Sequence, residues 1–112
     1  MVKRVKETTV LENLHQGIGR VQIQKIVTED DQIEGLSLFA TVIVEPQSSI
    51  GYHLHTKDAE AYYILRGEGI FLNHLQQRIP VKAGDLCLIA KGQSHGLENP
   101  NDRAIELIAV VY

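Results

Sequence analysis

His53–Gly67 reads HLHTKDAEAYYILRG, and its first eight residues carry the densest chemistry in the chain. His53 and His55 are two apart. On a strand, residues i and i+2 project from one face, so the two imidazoles stand side by side. They can close on one ion as neutral nitrogen ligands, at about 2.0–2.1 Å if the ion is zinc. Thr56–Ala59 (TKDA) can turn the chain, and Glu60 then re-enters on the next strand with its carboxylate facing the pair. Ala61–Leu65 (AYYIL) has the aromatic and aliphatic content of a strand and is stopped by Gly67 and Gly69. A third imidazole, His95, follows the turn residues Gly92-Gln93-Ser94 and can reach the same ion from a different strand.

Working outward, strand signals dominate. Val21–Val27 (VQIQKIV) alternates as a half-buried strand does. Ser37–Val44 (SLFATVIV) is rich in β-branched residues and ends at Glu45-Pro46. Leu86–Ala90 (LCLIA) is an apolar run between Gly84-Asp85 and Gly92, and Ile105–Val111 (IELIAVV) closes the chain. Ile70–Leu72 and Arg78–Val81 flank the polar stretch Asn73–Gln77 as the arms of a hairpin, with Pro80 at an edge or a strand end. Val2–His15 is the one segment with any helical character, and it lacks an apolar stripe. Short strands punctuated by turn residues imply an all-β sandwich or barrel rather than a βαβ protein. No repeat or linker divides the chain, so it reads as a single domain. Residues 36–112 form its barrel, and residues 1–35 are an extension of strands packing on it. LCLIA and AYYIL are apolar on both faces. One face can line a barrel; the other calls for a second layer, most economically a partner copy, so a homodimer is expected.

The 112 residues are 44% hydrophobic and 22% charged, the composition of an ordinary globular domain with one core. Eleven basic against fourteen acidic residues give a net charge of −3, which weighs against a nucleic-acid partner. The one basic cluster, Lys3, Arg4 and Lys6, lies at the N-terminus. Cys87 is the sole cysteine, so no intramolecular disulfide can form. The N-terminus lacks the apolar core of a signal peptide, and no apolar run approaches the roughly 18–20 residues that span a bilayer. The expectation is a cytoplasmic protein with no membrane partner.

With these residues in place, the sequence resembles the cupin family. The first cupin motif pairs H-x-H with a following Glu and a later Gly, matched here by His53, His55, Glu60 and Gly67. The second runs from Gly through Pro-x-Gly to His and Asn, matched by Gly84, Ala90-Lys91-Gly92, His95 and Asn99. Two positions depart from the pattern: Gln47 stands where the first motif opens on Gly, and Ala90 stands where the second has Pro. Both are turn positions; all four ligand types are retained. The resemblance implies a double-stranded β-helix, a jelly-roll barrel of two sheets, and dimers are common in the family.

On this reading His53, His55, Glu60 and His95 hold one divalent ion (Mn, Fe, Ni, Co or Zn). A buried Glu among three histidines is costly without a counter-charge, and four ligands leave two of about six octahedral positions for substrate. Tyr62 shares the inward face with Glu60 and is a candidate catalytic residue, as acid or as hydrogen-bond partner of a substrate oxygen; the competing reading is a core aromatic. Tyr63 faces the other way, toward an interface. His74 and His15 read as loop residues, Cys87 as a small core hydrophobe, and Asn99 as a turn-fixing side chain. No Arg or Lys has secure inward parity near the ligands. The resemblance implies a metal-dependent enzyme acting on a small carboxylate- or hydroxyl-bearing molecule, by oxidoreductase, decarboxylase, isomerase or lyase chemistry. The alternatives are a non-catalytic small-molecule or metal-binding module and a structural dimer with an empty site.

Overall fold

In the computed structural model, which describes the whole chain from Met1 to Tyr112, ten strands form. They are β1 (Thr9–Glu12), β2 (Arg20–Val27), β3 (Leu38–Val44), β4 (Ser48–Leu54) and β5 (Glu60–Arg66), followed by β6 (Glu68–Leu72), β7 (Arg78–Lys82), β8 (Leu86–Ile89), β9 (Ser94–Asn99) and β10 (Ile105–Val111). The only helical segments are two 3-10 turns, Leu14–Gln16 and Glu29–Asp31. Two antiparallel sheets result: six strands in the order β1-β2-β3-β10-β5-β8, and four in the order β4-β9-β6-β7. This is the double-stranded β-helix expected from the sequence.

β10 is the spine of the larger sheet, paired with β3 on one side and β5 on the other. Its burial alternates strictly: Ile105, Leu107, Ala109 and Val111 point into the barrel, while Glu106, Ile108 and Val110 face outward. Ile105, Leu107 and Ala109 pack with Val21, Val42, Val44, Ile64 and, from the smaller sheet, Ile50, Phe71 and Leu97, into one core. Burying each large aliphatic side chain contributes about 1.5–3 kcal/mol. Cys87 lies in this core as a small hydrophobe, and its burial pushes the thiol up to about 11.

The N-terminal segment is extended rather than helical. Thr9 and Val10 are β-branched, and β1 pairs with β2 at the outer edge of the larger sheet. Asn99, almost wholly buried, fixes the corner after β9. Its Nδ2 donates to the carbonyls of Val44, Glu45 and Arg103 at 3.1, 3.1 and 2.8 Å, and its Oδ1 accepts from the Asn101 N–H at 3.1 Å.

Both departures from the family motifs are accommodated locally. Gln47 takes the left-handed conformation that favours glycine, with φ 57°. Its side-chain amide donates to the carbonyls of Pro100 and Asn101 at 2.9 and 3.1 Å, which anchors the strained corner. The Ala90 N–H, which a proline would lack, donates to Gln93 Oε1 at 2.9 Å, and the Gln93 N–H donates back to the Ala90 carbonyl at 3.0 Å.

Candidate metal centre

His53 and His95 are direct cross-strand partners on β4 and β9, so both rings enter the barrel side by side, with centroids 4.6 Å apart. His55 follows two residues after His53 and keeps its parity. It lies just past the end of β4 but stays tied to the turn before β9, because its N–H donates to the Gln93 carbonyl at 2.9 Å and its carbonyl accepts from the Gly92 N–H at 2.7 Å. Glu60 heads β5 in the opposite sheet, between Ile89 and Val111 in register. Two imidazoles from one sheet and a third from the turn after β4 thus meet one carboxylate from the other sheet. His95 is 0% and Glu60 7% exposed, and one ligand atom from each of the four residues lies within 4.8 Å of the others.

The hydrogen bonds assign the ring nitrogens. His53 Nδ1 sits 2.7 Å from the Gly51 carbonyl and donates to it, leaving Nε2 with its lone pair. His55 Nδ1 donates to Asp58 Oδ1 at 2.8 Å, a carboxylate–imidazole pairing typical behind metal ligands. The remaining nitrogens crowd together: His55 Nε2 is 3.1 Å from His95 Nε2 and 3.0 Å from Glu60 Oε1, and His95 Nε2 is 2.9 Å from the same oxygen. His95 Nδ1 is buried without a partner in the chain. A cluster this rich in acceptors and poor in donors fits a divalent cation, which can take all the lone pairs at once.

Of the cluster, His53, His55 and Glu60 line a cavity of about 420 Å³ with largely apolar walls, among them Leu14, Ile23, Leu38 and Val42. Tyr62 projects inward as the strand parity requires, 4% exposed, with its ring 4.9 Å from that of His95. Burial, then the charge of Glu60 and a hydrogen bond to it, holds the phenol well above its ordinary range. Tyr63 points outward and Asn99 away from the cavity, and His74 is exposed in the β6–β7 turn.

Two lining residues escaped the sequence reading. Lys57, in the β4–β5 turn, is the one basic side chain of Lys or Arg type lining the cavity. His15, read from the sequence as a loop residue, stacks on the ligand candidate His53, with centroids 3.6 Å apart and planes within 10°. The carbonyl of His15 sits where a side chain on residue 51 would be, 2.0 Å from the ideal Cβ position, so Gly51 is needed for this approach. The only sequence signal was that glycine, two residues before His53.

Burial lowers the His53 imidazole from 6.5 to about 4, and burial also lowers His15. Because these folded values lie below the unfolded ones, the unfolded chain takes up protons first as pH falls. The stability contributed by neutral His53 is complete above about pH 6.5 and is lost toward pH 4. Melting temperatures of the metal-free chain should therefore be flat near neutrality and fall through that window. His53→Gln should flatten the slope, and an unchanged slope would contradict the assignment.

A family model described as a cupin domain matches residues 40–111. An oxalate-binding protein of Thermotoga maritima is 36% identical over 113 residues, spanning 99% of this chain and 93% of that protein. The crystal structure of a Thermotoga maritima protein, described as a predicted oxalate decarboxylase, superimposes with a TM-score of 0.90 at 35% identity, covering 99% of this chain and 97% of the other. A polyketide cyclase from Streptomyces resistomycificus shares the fold at 20% identity, with a TM-score of 0.78 over 99% of this chain and 79% of its own. The two-sheet barrel, the two histidine-bearing motifs and these matches agree, and the chain belongs to the cupin family.

Proposed function

We propose that this protein binds a short carboxylate of the oxalate class on a single divalent metal ion held by His53, His55, Glu60 and His95. The observation that carries the reading is the convergence of those four donors, three of which (His53, His55 and Glu60) line a largely apolar cavity. Three neutral imidazoles and one carboxylate under-neutralise a divalent cation, so an anionic ligand completes the charge balance. The ion, when bound, supplies Lewis acidity and a chelation point for carboxylate oxygens.

The surrounding residues bind and orient. The Gly51 carbonyl and Asp58 hold the rings of His53 and His55 with Nε2 turned inward. The apolar wall excludes water, which strengthens every polar contact inside. Lys57 places positive charge at the cavity, where it attracts an incoming anion. Tyr62 keeps its proton beside Glu60 and so serves as a hydrogen-bond donor. A phenol held that firmly protonated is a poor acid, which favours binding over proton transfer as its role.

Calorimetry of the manganese-loaded and metal-free chain against oxalate, malonate and acetate tests this. Oxalate chelates through two oxygens, and is expected to bind the loaded chain at least about tenfold more tightly than acetate and the metal-free chain not at all. Equal binding with and without metal would contradict the reading. A second reading, turnover of the bound acid, is favoured by the similar Thermotoga maritima protein described as a predicted oxalate decarboxylase, with Tyr62 acting as a hydrogen-bond donor to the reacting acid rather than as a proton source. Release of carbon dioxide from oxalate, diminished in Tyr62→Phe with metal retained, would assign the enzyme; unchanged oxalate supports the binding module.

The homodimer is part of the same proposal. On the outer face of the larger sheet, Tyr63 is paired in register with Leu86 and Ala61 with Leu88, and Tyr63, Leu86 and Leu88 are 43%, 57% and 59% exposed. Such an apolar patch is the face for a second copy. Light scattering is expected to give twice the chain mass, and a single-chain mass for Leu88→Lys. A monomeric wild type would sink the dimer.

A further inference from the structure

The turn that carries His15 is strained, anchored and aimed at the cavity. Asn13, His15 and Gln16 all have positive φ, at 55°, 51° and 65°, and none is glycine. Left-handed backbone at non-glycine residues persists where surrounding structure enforces it and clusters at functional sites. The enforcement here is visible. The Asn13 N–H donates to the Gly19 carbonyl at 2.9 Å, and Asn13 Nδ2 to the Gly17 carbonyl at 3.1 Å. The Ser49 N–H donates to the Ile18 carbonyl at 2.7 Å, and the Ile18 N–H to Ser49 Oγ at 2.9 Å. Gly17 and Gly51 let the two backbones touch, since a Cβ on residue 17 would lie 2.3 Å from the Ser49 carbonyl oxygen. The turn is thus tied to β4, the strand that carries His53.

The result is an imidazole laid flat on His53 and lining the cavity, exposed rather than buried, so that its ring edge is open to a molecule entering there. We propose that His15 is a ligand-contacting residue, donating a ring N–H to a carboxylate oxygen of the anion bound at the metal centre. The stack on His53 fixes the ring plane and leaves its edge for the anion. The inference rests on the reading of the site as a metal-dependent carboxylate site, and adds to it a specificity contact from a part of the chain outside both cupin motifs. It favours ligands that keep an oxygen free to accept a hydrogen bond when the acid chelates.

Two substitutions separate hydrogen bonding from stacking. His15→Phe keeps a flat ring on His53 and removes the donor. His15→Asn keeps a donor and suits the left-handed backbone. Each variant is loaded with manganese(II), checked for metal content and melting temperature, and titrated with sodium oxalate. We expect stoichiometric metal in both, oxalate binding weakened about tenfold or more in His15→Phe, and most of the affinity kept in His15→Asn. Metal-loaded His15→Phe that binds oxalate as the wild type does would overturn the inference while leaving the metal site standing. Loss of metal from both variants would overturn it too, because His15 would then act by holding His53. A wild-type chain that takes up no metal would sink the site reading and this inference together, and the metal assay distinguishes that outcome from the other two.

Discussion

The His53→Ala, His95→Ala double variant is expected to purify without stoichiometric metal, and a chelator should leave its melting temperature unchanged. The wild type should behave oppositely, holding one ion per chain and losing stability on chelation. The two rings are cross-strand partners on β4 and β9, so removing both strips one wall of the cluster and leaves His55 and Glu60 alone. Two donors from a turn and from the opposite sheet do not enclose a cation. A ligand that binds only the folded chain stabilises it by about 4 kcal/mol at a free concentration one thousand times its dissociation constant. The chelator-dependent shift therefore reports the site directly, apart from any packing loss at position 95. Metal retained at one ion per chain by the double variant would refute the ligand assignment.

Leu97→Ala is expected to cost about 3 kcal/mol of stability, within the roughly 2–5 kcal/mol range for fully buried leucines. Leu97 is 0% exposed on β9 and lies in register between Ile50 on β4 and Phe71 on β6. Both neighbours are fixed by their own strands, so they cannot collapse far into the space left behind. The strand that loosens carries His95 two residues away. The midpoint of urea unfolding should shift with little change in slope. Leu75→Ala, 71% exposed in the β6–β7 turn, should stay within about 0.5 kcal/mol of wild type. A Leu97→Ala loss no larger than that of Leu75→Ala would contradict the core described here.

The strands and the four-residue cluster were legible because each rests on a short-range rule. Period-two geometry set the shared parity of His53 with His55 and of Glu60 with Tyr62. Glycines and polar turns marked the ends of β5 and β8 within one residue of Ala61–Leu65 and Leu86–Ala90. His15 was not legible in this way. It lies 38 residues before His53 in an irregular turn whose left-handed residues carry no glycine signature, and its placement depends on a backbone contact between Gly17 and Gly51. Lys57 was missed for a related reason: strand parity stops at the end of β4, and a turn residue's direction follows from tertiary packing. Thr9 and Val10 are the only β-branched pair in Thr9–Glu12, a signal too short to decide its course, which is completed by pairing with β2.

The central claim is that two imidazoles from one sheet, a third from the turn after β4 and a carboxylate from the other sheet share a cation inside the barrel. Anomalous diffraction from crystals of the manganese-loaded protein tests it most directly. The account predicts one strong peak per chain within bonding distance of His53, His55, Glu60 and His95. A peak elsewhere, or none at that cluster despite bound manganese in the crystals, would contradict it.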